Sequence, residues 1–220
     1  MIQENIWTMQ ENLLIGNLNI KKCREASAFL SRIDSDWKEL IKKKGVVRIK
    51  ISNDLEPYQS LIKSVIFQQL HPKAGNAIFG RFLLMFKNKF PNDRSILEKP
   101  AIEIKSCGLS QNKLSTILEI AFLSSNNKLP TSVDIIKMSD DEIISLFTKI
   151  KGIGEWTVQM LLIFNLGRLD IIPQNDLAIR KNYQKLKKLT KPISPKEIIQ
   201  ISLDWSPYRS VASWYLWQGI

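Results

Sequence analysis

Two glycines separated by one apolar residue, Lys151-Gly-Ile-Gly154, stand between a capped helix start and the apolar run 156–166. Ahead of them, Ser139-Asp-Asp-Glu142 has the spacing in which a serine and a glutamate satisfy each other's backbone donors and open a helix, which carries Ile143, Ile144 and Phe147 inward. Gly152 and Gly154 let the backbone turn tightly and approach a neighbour closely, and Ile153 plugs the two helices together. The second helix then begins with N–H groups that have no partner within it, so its start can hold an anion on the amides of Gly152 and Gly154. The same glycines would also serve an ordinary helix–helix turn. The helix beyond Gly154 adds weight to the first reading. Being apolar nearly all round, it must lie between two layers, so the hairpin at 141–166 belongs to the main architecture.

Almost every other segment also reads as helix. Short amphipathic stretches are expected at 25–33 and 36–44, the second ending in Lys-Lys-Lys-Gly, which suits a helix C-terminus. Residues 46–51 alternate apolar and charged and read as a lone extended segment. Pro57 opens a helix with Leu61, Ile62, Val65 and Ile66 on one face, running to Gln68-Gln69. Pro72 restarts a helix through Phe86. Short helices come after Pro91, one ending at Gly108, and 110–124 forms another, with Leu114, Ile117, Leu118 and Ala121 in phase. Ser194-Pro-Lys-Glu197 repeats the capping signature. The expected class is all-α, with about ten short helices.

The net charge of +11 on 220 residues favours polyanionic partners, phosphate backbones above all, and the lysines are spread along the chain as basic faces on folded elements. No stretch approaches the roughly 20 apolar residues of a membrane span. Residues 1–8 carry Glu4 and lack the basic-then-apolar run of a secretory signal. Two cysteines, Cys23 and Cys107, cannot supply a four-cysteine iron–sulfur or zinc site, and they fit a reducing, intracellular setting.

Lys-Gly-Ile-Gly-Glu-Trp-Thr, the apolar helix after it, and Gly167-Arg-Leu-Asp-Ile-Ile-Pro173-Gln-Asn-Asp176 together resemble the helix-hairpin-helix DNA glycosylase superfamily, most closely its 3-methyladenine DNA glycosylase II group. Ser64-Val-Ile-Phe-Gln-Gln-Leu-His-Pro-Lys-Ala-Gly and Trp205-Ser-Pro-Tyr-Arg-Ser-Val-Ala-Ser-Trp-Tyr-Leu-Trp217 agree, so the resemblance covers residues 57–220. It implies two helical lobes flanking a DNA-binding cleft. Residues 57–168, including the hairpin, would form the central lobe, and 1–56 with 169–220 the second. The extra N-terminal β-domain of longer relatives is not expected.

The resemblance assigns the catalytic carboxylate to Asp176, which on its own would be a helix N-cap worth about 1 kcal/mol. It places Trp156 and Trp217 in the walls of a base pocket, where indole faces would attract a cationic purine. Met160 stands there where some relatives have an aromatic ring; Trp205 and Trp214 read as packing. Lys151, Gly152, Ile153, Gly154 and Thr157 would bind the DNA backbone. Gln69, Leu70 or His71 would be the wedge entering the duplex, although a lone turn histidine such as His71 also suits a cap. The carbonyls of Thr148, Ile150 and Ile153 would hold a Na+ or K+ ion; no other cofactor is required and no iron–sulfur cluster is expected.

In bifunctional relatives a lysine two positions after the second hairpin glycine forms a Schiff base; here that position is Trp156. The expected activity is therefore monofunctional: a monomer acting on double-stranded DNA, hydrolysing the glycosidic bond of flipped-out alkylated purines without lyase activity. Two alternatives stand beside it: the same scaffold acting on an oxidised or deaminated purine, and a helix-hairpin-helix module without catalysis.

Overall fold

The computed structural model describes residues 16–17, 20–51 and 56–220. The expectation about residues 1–8 lies outside the described residues, as does part of the 1–56 segment. Thirteen α-helices occur among those described, and together with one short strand pair they form an all-helical fold. The short helices expected after Pro91 are α5 (Asp93–Glu98) and α6 (Ala101–Ser106), whereas the single turn α8 (Ser132–Ile135) is too brief to show a hydrophobic period.

The chain begins with α1 (Ile20–Leu30) and α2 (Ser35–Lys44). α2 starts one residue earlier than its apolar pattern implied, because Asp34 accepts the Trp37 N–H at 3.0 Å and caps it. The extended segment after it is not alone. Lys50–Ile51 (β2) pairs antiparallel with Gly16–Asn17 (β1), while Val47 and Ile49 point into the core.

Next come α3 (Pro57–Phe67), α4 (Pro72–Met85), α5, α6 and α7 (Gln111–Ser125). Beyond α8 lie α9 (Asp140–Phe147), α10 (Glu155–Phe164), α11 (Leu177–Leu186), α12 (Pro195–Ile201), a 3-10 turn at Ser202–Trp205, and α13 (Arg209–Trp217). Both expected capping boxes form, at Ser139/Glu142 and Ser194/Glu197.

Three packing centres place the site. α7 is flanked by α3, α5 and α6; α10 packs on α9, α3 and β2; α13 gathers α1, α2 and α11. Every side chain of α10 from Thr157 to Phe164 is buried, as an all-round apolar helix requires. Each fully buried large aliphatic there contributes about 1.5–3 kcal/mol, so α10 anchors whatever is attached to its ends. Trp205 is packing, as expected: it is edge-on to Trp37, ring centres 5.4 Å apart, and lies against Tyr183. Tyr215 joins α13 to the N-terminal helices, its hydroxyl 2.8 Å from Ser27 Oγ and accepting the Val47 N–H at 3.1 Å.

Candidate functional site

Asp176 is the N-cap of α11, and one of its oxygens does what a cap does. Oδ1 accepts the N–H groups of Ala178 at 2.8 Å and Ile179 at 3.2 Å. The second oxygen has a different environment. Oδ2 accepts the indole N–H of Trp156, from the first turn of α10, at 3.0 Å, and that of Trp217, from the end of α13, at 3.1 Å. Four neutral donors thus meet the roughly four lone-pair positions of an ionised carboxylate, and the residue is only 2% exposed. Burying a carboxylate is costly, and a helix cap uses only one side-chain oxygen. Two further elements, α10 and α13, converge on the second oxygen, which cap duty does not explain.

The two tryptophans are therefore oriented by their N–H edges. Trp217 is buried, its ring tilted against Phe164 with centres 6.0 Å apart; Trp156 is half-buried, and Met160 is buried one turn further along α10. Of the three expected wall residues, Trp156 offers the most accessible ring.

The loop that presents Asp176 is held by side chains whose roles the sequence did not reveal. Gln159, buried in α10, donates to Gln174 Oε1 at 2.9 Å, Glu155 Oε1 at 3.2 Å and the Ile172 carbonyl at 3.3 Å. Gln174 donates to the same Glu155 oxygen at 2.8 Å. The loop leading into Asp176 is thereby tied to the helix that carries Trp156. The available signal was a glutamine in an otherwise apolar helix.

The hairpin turn closes through Ile153 N–H to the Ile150 carbonyl at 3.0 Å. Gly152 has φ +90°, and a Cβ there would overlap Thr116 Oγ1, so both its conformation and its surroundings demand glycine. Gly154, the N-cap of α10, has φ −89° and open space where a Cβ would point. No side chain caps this helix, so its first amides lack a side-chain acceptor, and Gly154 and Lys151 at the turn are exposed. Ile153 is buried as the plug. Thr157 is also buried: its N–H bonds the Gly154 carbonyl and its hydroxyl accepts Gln68 Nε2 at 3.2 Å, so it supports the loop from beneath.

Between α3 and α4, Gln69 is exposed with φ +56°, Leu70 leans on the core, and His71 is exposed. His71 caps α4, its Nδ1 accepting the Lys73 N–H at 3.3 Å. No cluster of three His, Cys, Asp or Glu side chains able to hold a metal occurs among the described residues. Cys23 and Cys107 are both buried and neither forms a disulfide. No helix among the described residues is long and apolar enough to cross a membrane.

No protein-family model matches the chain. Known proteins do. The chain is 40% identical over 196 residues to DNA-3-methyladenine glycosylase 1 of Schizosaccharomyces pombe, spanning 88% of this chain and 86% of that one. It is 32% identical over 197 residues to the alkylbase DNA glycosidase-like protein mag2 of the same yeast, spanning 89% and 92%. Among solved structures, the S. pombe 3-methyladenine DNA glycosylase in complex with abasic DNA superposes with a TM-score of 0.81 at 39% identity, covering 88% of this chain and 95% of that one. A DNA-3-methyladenine glycosidase from Bacillus halodurans gives 0.77 at 26% identity, covering 88% of each. With its hairpin, its buried aspartate and this degree of identity over most of its length, the chain belongs to the helix-hairpin-helix family of 3-methyladenine DNA glycosylases.

Proposed function

We propose that this protein hydrolyses the N-glycosidic bond of alkylated purines flipped out of double-stranded DNA, leaving an abasic site without cutting the strand. The observation that carries the proposal is Asp176, a buried carboxylate whose second oxygen is gripped by Trp156 and Trp217.

An alkylated purine carries positive charge and is a good leaving group, so its departure does not require a strong general acid. Loss of the base leaves an oxocarbenium-like sugar. A fixed negative charge about 4 Å away is worth about 4 kcal/mol at the effective dielectric of a protein site, some three powers of ten in rate. Asp176 supplies that charge. Its lone pairs are already engaged by four donors, so it acts mainly as a preorganised charge; taking a proton from the attacking water would require an indole N–H to be given up.

Strand cleavage through a Schiff base needs an amine, and the position two beyond Gly154 holds an indole that is itself bound to Asp176. The amides of Gly152 and Gly154, with Lys151, would grip a phosphate, and Gln69, Leu70 or His71 would fill the gap left by the extruded base. The Thr148, Ile150 and Ile153 carbonyls would carry a monovalent cation that stiffens the turn; the Ile150 oxygen takes one N–H and keeps a second lone pair. The division into lobes 57–168 and 1–56 plus 169–220, a monomeric state and an intracellular site of action belong to the same reading.

Incubation with duplex DNA carrying several alkylated and oxidised purines, followed by chromatography of free bases, tests the activity. Released 3-methyladenine with the strand left intact supports it; release of oxidised purines only, or of nothing, refutes it. A covalent complex trapped by borohydride would contradict the assignment without a lyase step.

A further inference from the structure

Lys113 lies on α7, outside every motif that marks the site. It is half-buried, and its ammonium donates to the Ile66 carbonyl at 3.0 Å and the Gln68 carbonyl at 2.7 Å. These carbonyls belong to the end of α3, where helix acceptors lack partners and a cation suits the dipole. Burial holds the Lys113 amine below the usual lysine range. A surface turn could satisfy the same carbonyls with water. The Gln68 side chain continues the connection: Nε2 donates to the Gly152 carbonyl and to Thr157 Oγ1, each at 3.2 Å.

One turn further along α7, on the same face, Thr116 Oγ1 lies 2.9 Å from the Lys151 carbonyl and occupies the space that a Cβ on Gly152 would need. Two segments some 80 residues apart in sequence, the 68–71 turn and the 151–154 hairpin, therefore rest on a single helix face and on each other.

We infer that Lys113 and Gln68 are positioning residues that lock the 68–71 turn to the hairpin, so that the gripped strand and the inserted wedge stay in register. The inference rests on the assignment of residues 69–71 as the wedge. A strand bound at the hairpin then meets the wedge at a fixed offset. Without the lock, binding would survive while extrusion of a well-paired base would falter.

The test uses the full chain with Lys113→Met, Lys113→Arg and Gln68→Met. The substrate is a duplex with 2-aminopurine beside a 7-methylguanine, either paired or opposite a gap. For Lys113→Met, affinity for duplex holding an abasic-site analogue should stay within about threefold of wild type. The fluorescence rise that reports extrusion, and single-turnover excision of the paired lesion, should each fall about tenfold. Excision of the lesion opposite the gap should stay within about twofold, and Lys113→Arg should recover most of the loss. Gln68→Met should behave like Lys113→Met and serves if that variant folds poorly. Extrusion and paired excision within twofold of wild type in both Met variants would overturn the inference. So would equal losses in affinity, extrusion and gap excision, which would mark plain structural damage. The combined variant Gln69→Ala, Leu70→Ala, His71→Ala separates the two layers. If it shows no pairing-dependent loss, the wedge assignment falls and the inference with it. If it shows that loss while the Met variants do not, only the lock is refuted.

Discussion

Replacing Trp217 with phenylalanine removes one of the two N–H groups on Asp176 Oδ2 while leaving an aromatic ring in place. If the tryptophan served only as a stacking face, the substitution would be mild. With the N–H holding a carboxylate that is 2% exposed, one hydrogen bond to a charged group is lost, worth about 1.5–3 kcal/mol. A carboxylate released from one side can also drift, and a shift of about 1 Å at a reacting centre can cost about a hundredfold. We expect single-turnover excision of 7-methylguanine from duplex DNA to fall roughly 10- to 100-fold, by the same arithmetic of bond and position. The smaller ring leaves a partly filled space costing about 1–3 kcal/mol, so Tm should drop by several degrees with the fold retained. Trp156→Phe should resemble it. Because both indoles serve one oxygen, the double variant should lose less than the product of the two losses. Excision within threefold of wild type in Trp217→Phe would refute the reasoning and return the indole to a stacking role.

Gly152→Ala should destabilise the fold by about 1–3 kcal/mol, since φ is +90° and Thr116 blocks the added methyl. Gly154→Ala should fold normally, having open space and an ordinary φ, while weakening DNA binding; thermal melts and titration with labelled duplex distinguish the two. His71→Ala should slow excision from duplex more than from single-stranded DNA, and equal losses would leave His71 only its cap on α4. At Asp170, burial alone would raise the carboxyl, but the hydrogen bonds and charge of Arg209, with Ser206, together hold it below the usual value. Its contribution to stability is therefore present above the unfolded pKa of about 3.9 and lost as pH falls through the lower folded value. Denaturant melts of Asp170→Asn should show a flatter decline below about pH 4 than wild type.

The parts that were legible in the sequence are those decided locally. Ser139 with Glu142 and Ser194 with Glu197 are three residues apart, so their caps could be read directly, and both form. The apolar surround of α10 required burial, and the helix is buried from Thr157 to Phe164. Asp176 was singled out by the family resemblance, while its capping oxygen could be read from its place before α11. What could not be read was which edge a tryptophan presents. Trp156 and Trp217 lie 20 residues before and 41 after Asp176, and the direction of their N–H groups is set by how α10 and α13 pack. Gln68, Lys113 and Thr116 escaped notice for the same reason, since their partners are 35 to 89 residues away. The extended segment at 46–51 was legible from its alternation, but its partner Gly16–Asn17 is two residues long, too short for any alternation to appear.

The central claim is that the charge on Asp176, buried among two indoles and two helix amides, carries base release. Single-turnover chromatography of bases freed from methylated duplex DNA by wild type and by Asp176→Asn, with affinity for an abasic-analogue duplex measured alongside, tests it most directly. Release should be about a thousandfold slower or more in the variant, with affinity within a few-fold of wild type. Release within tenfold of wild type by Asp176→Asn would contradict the claim.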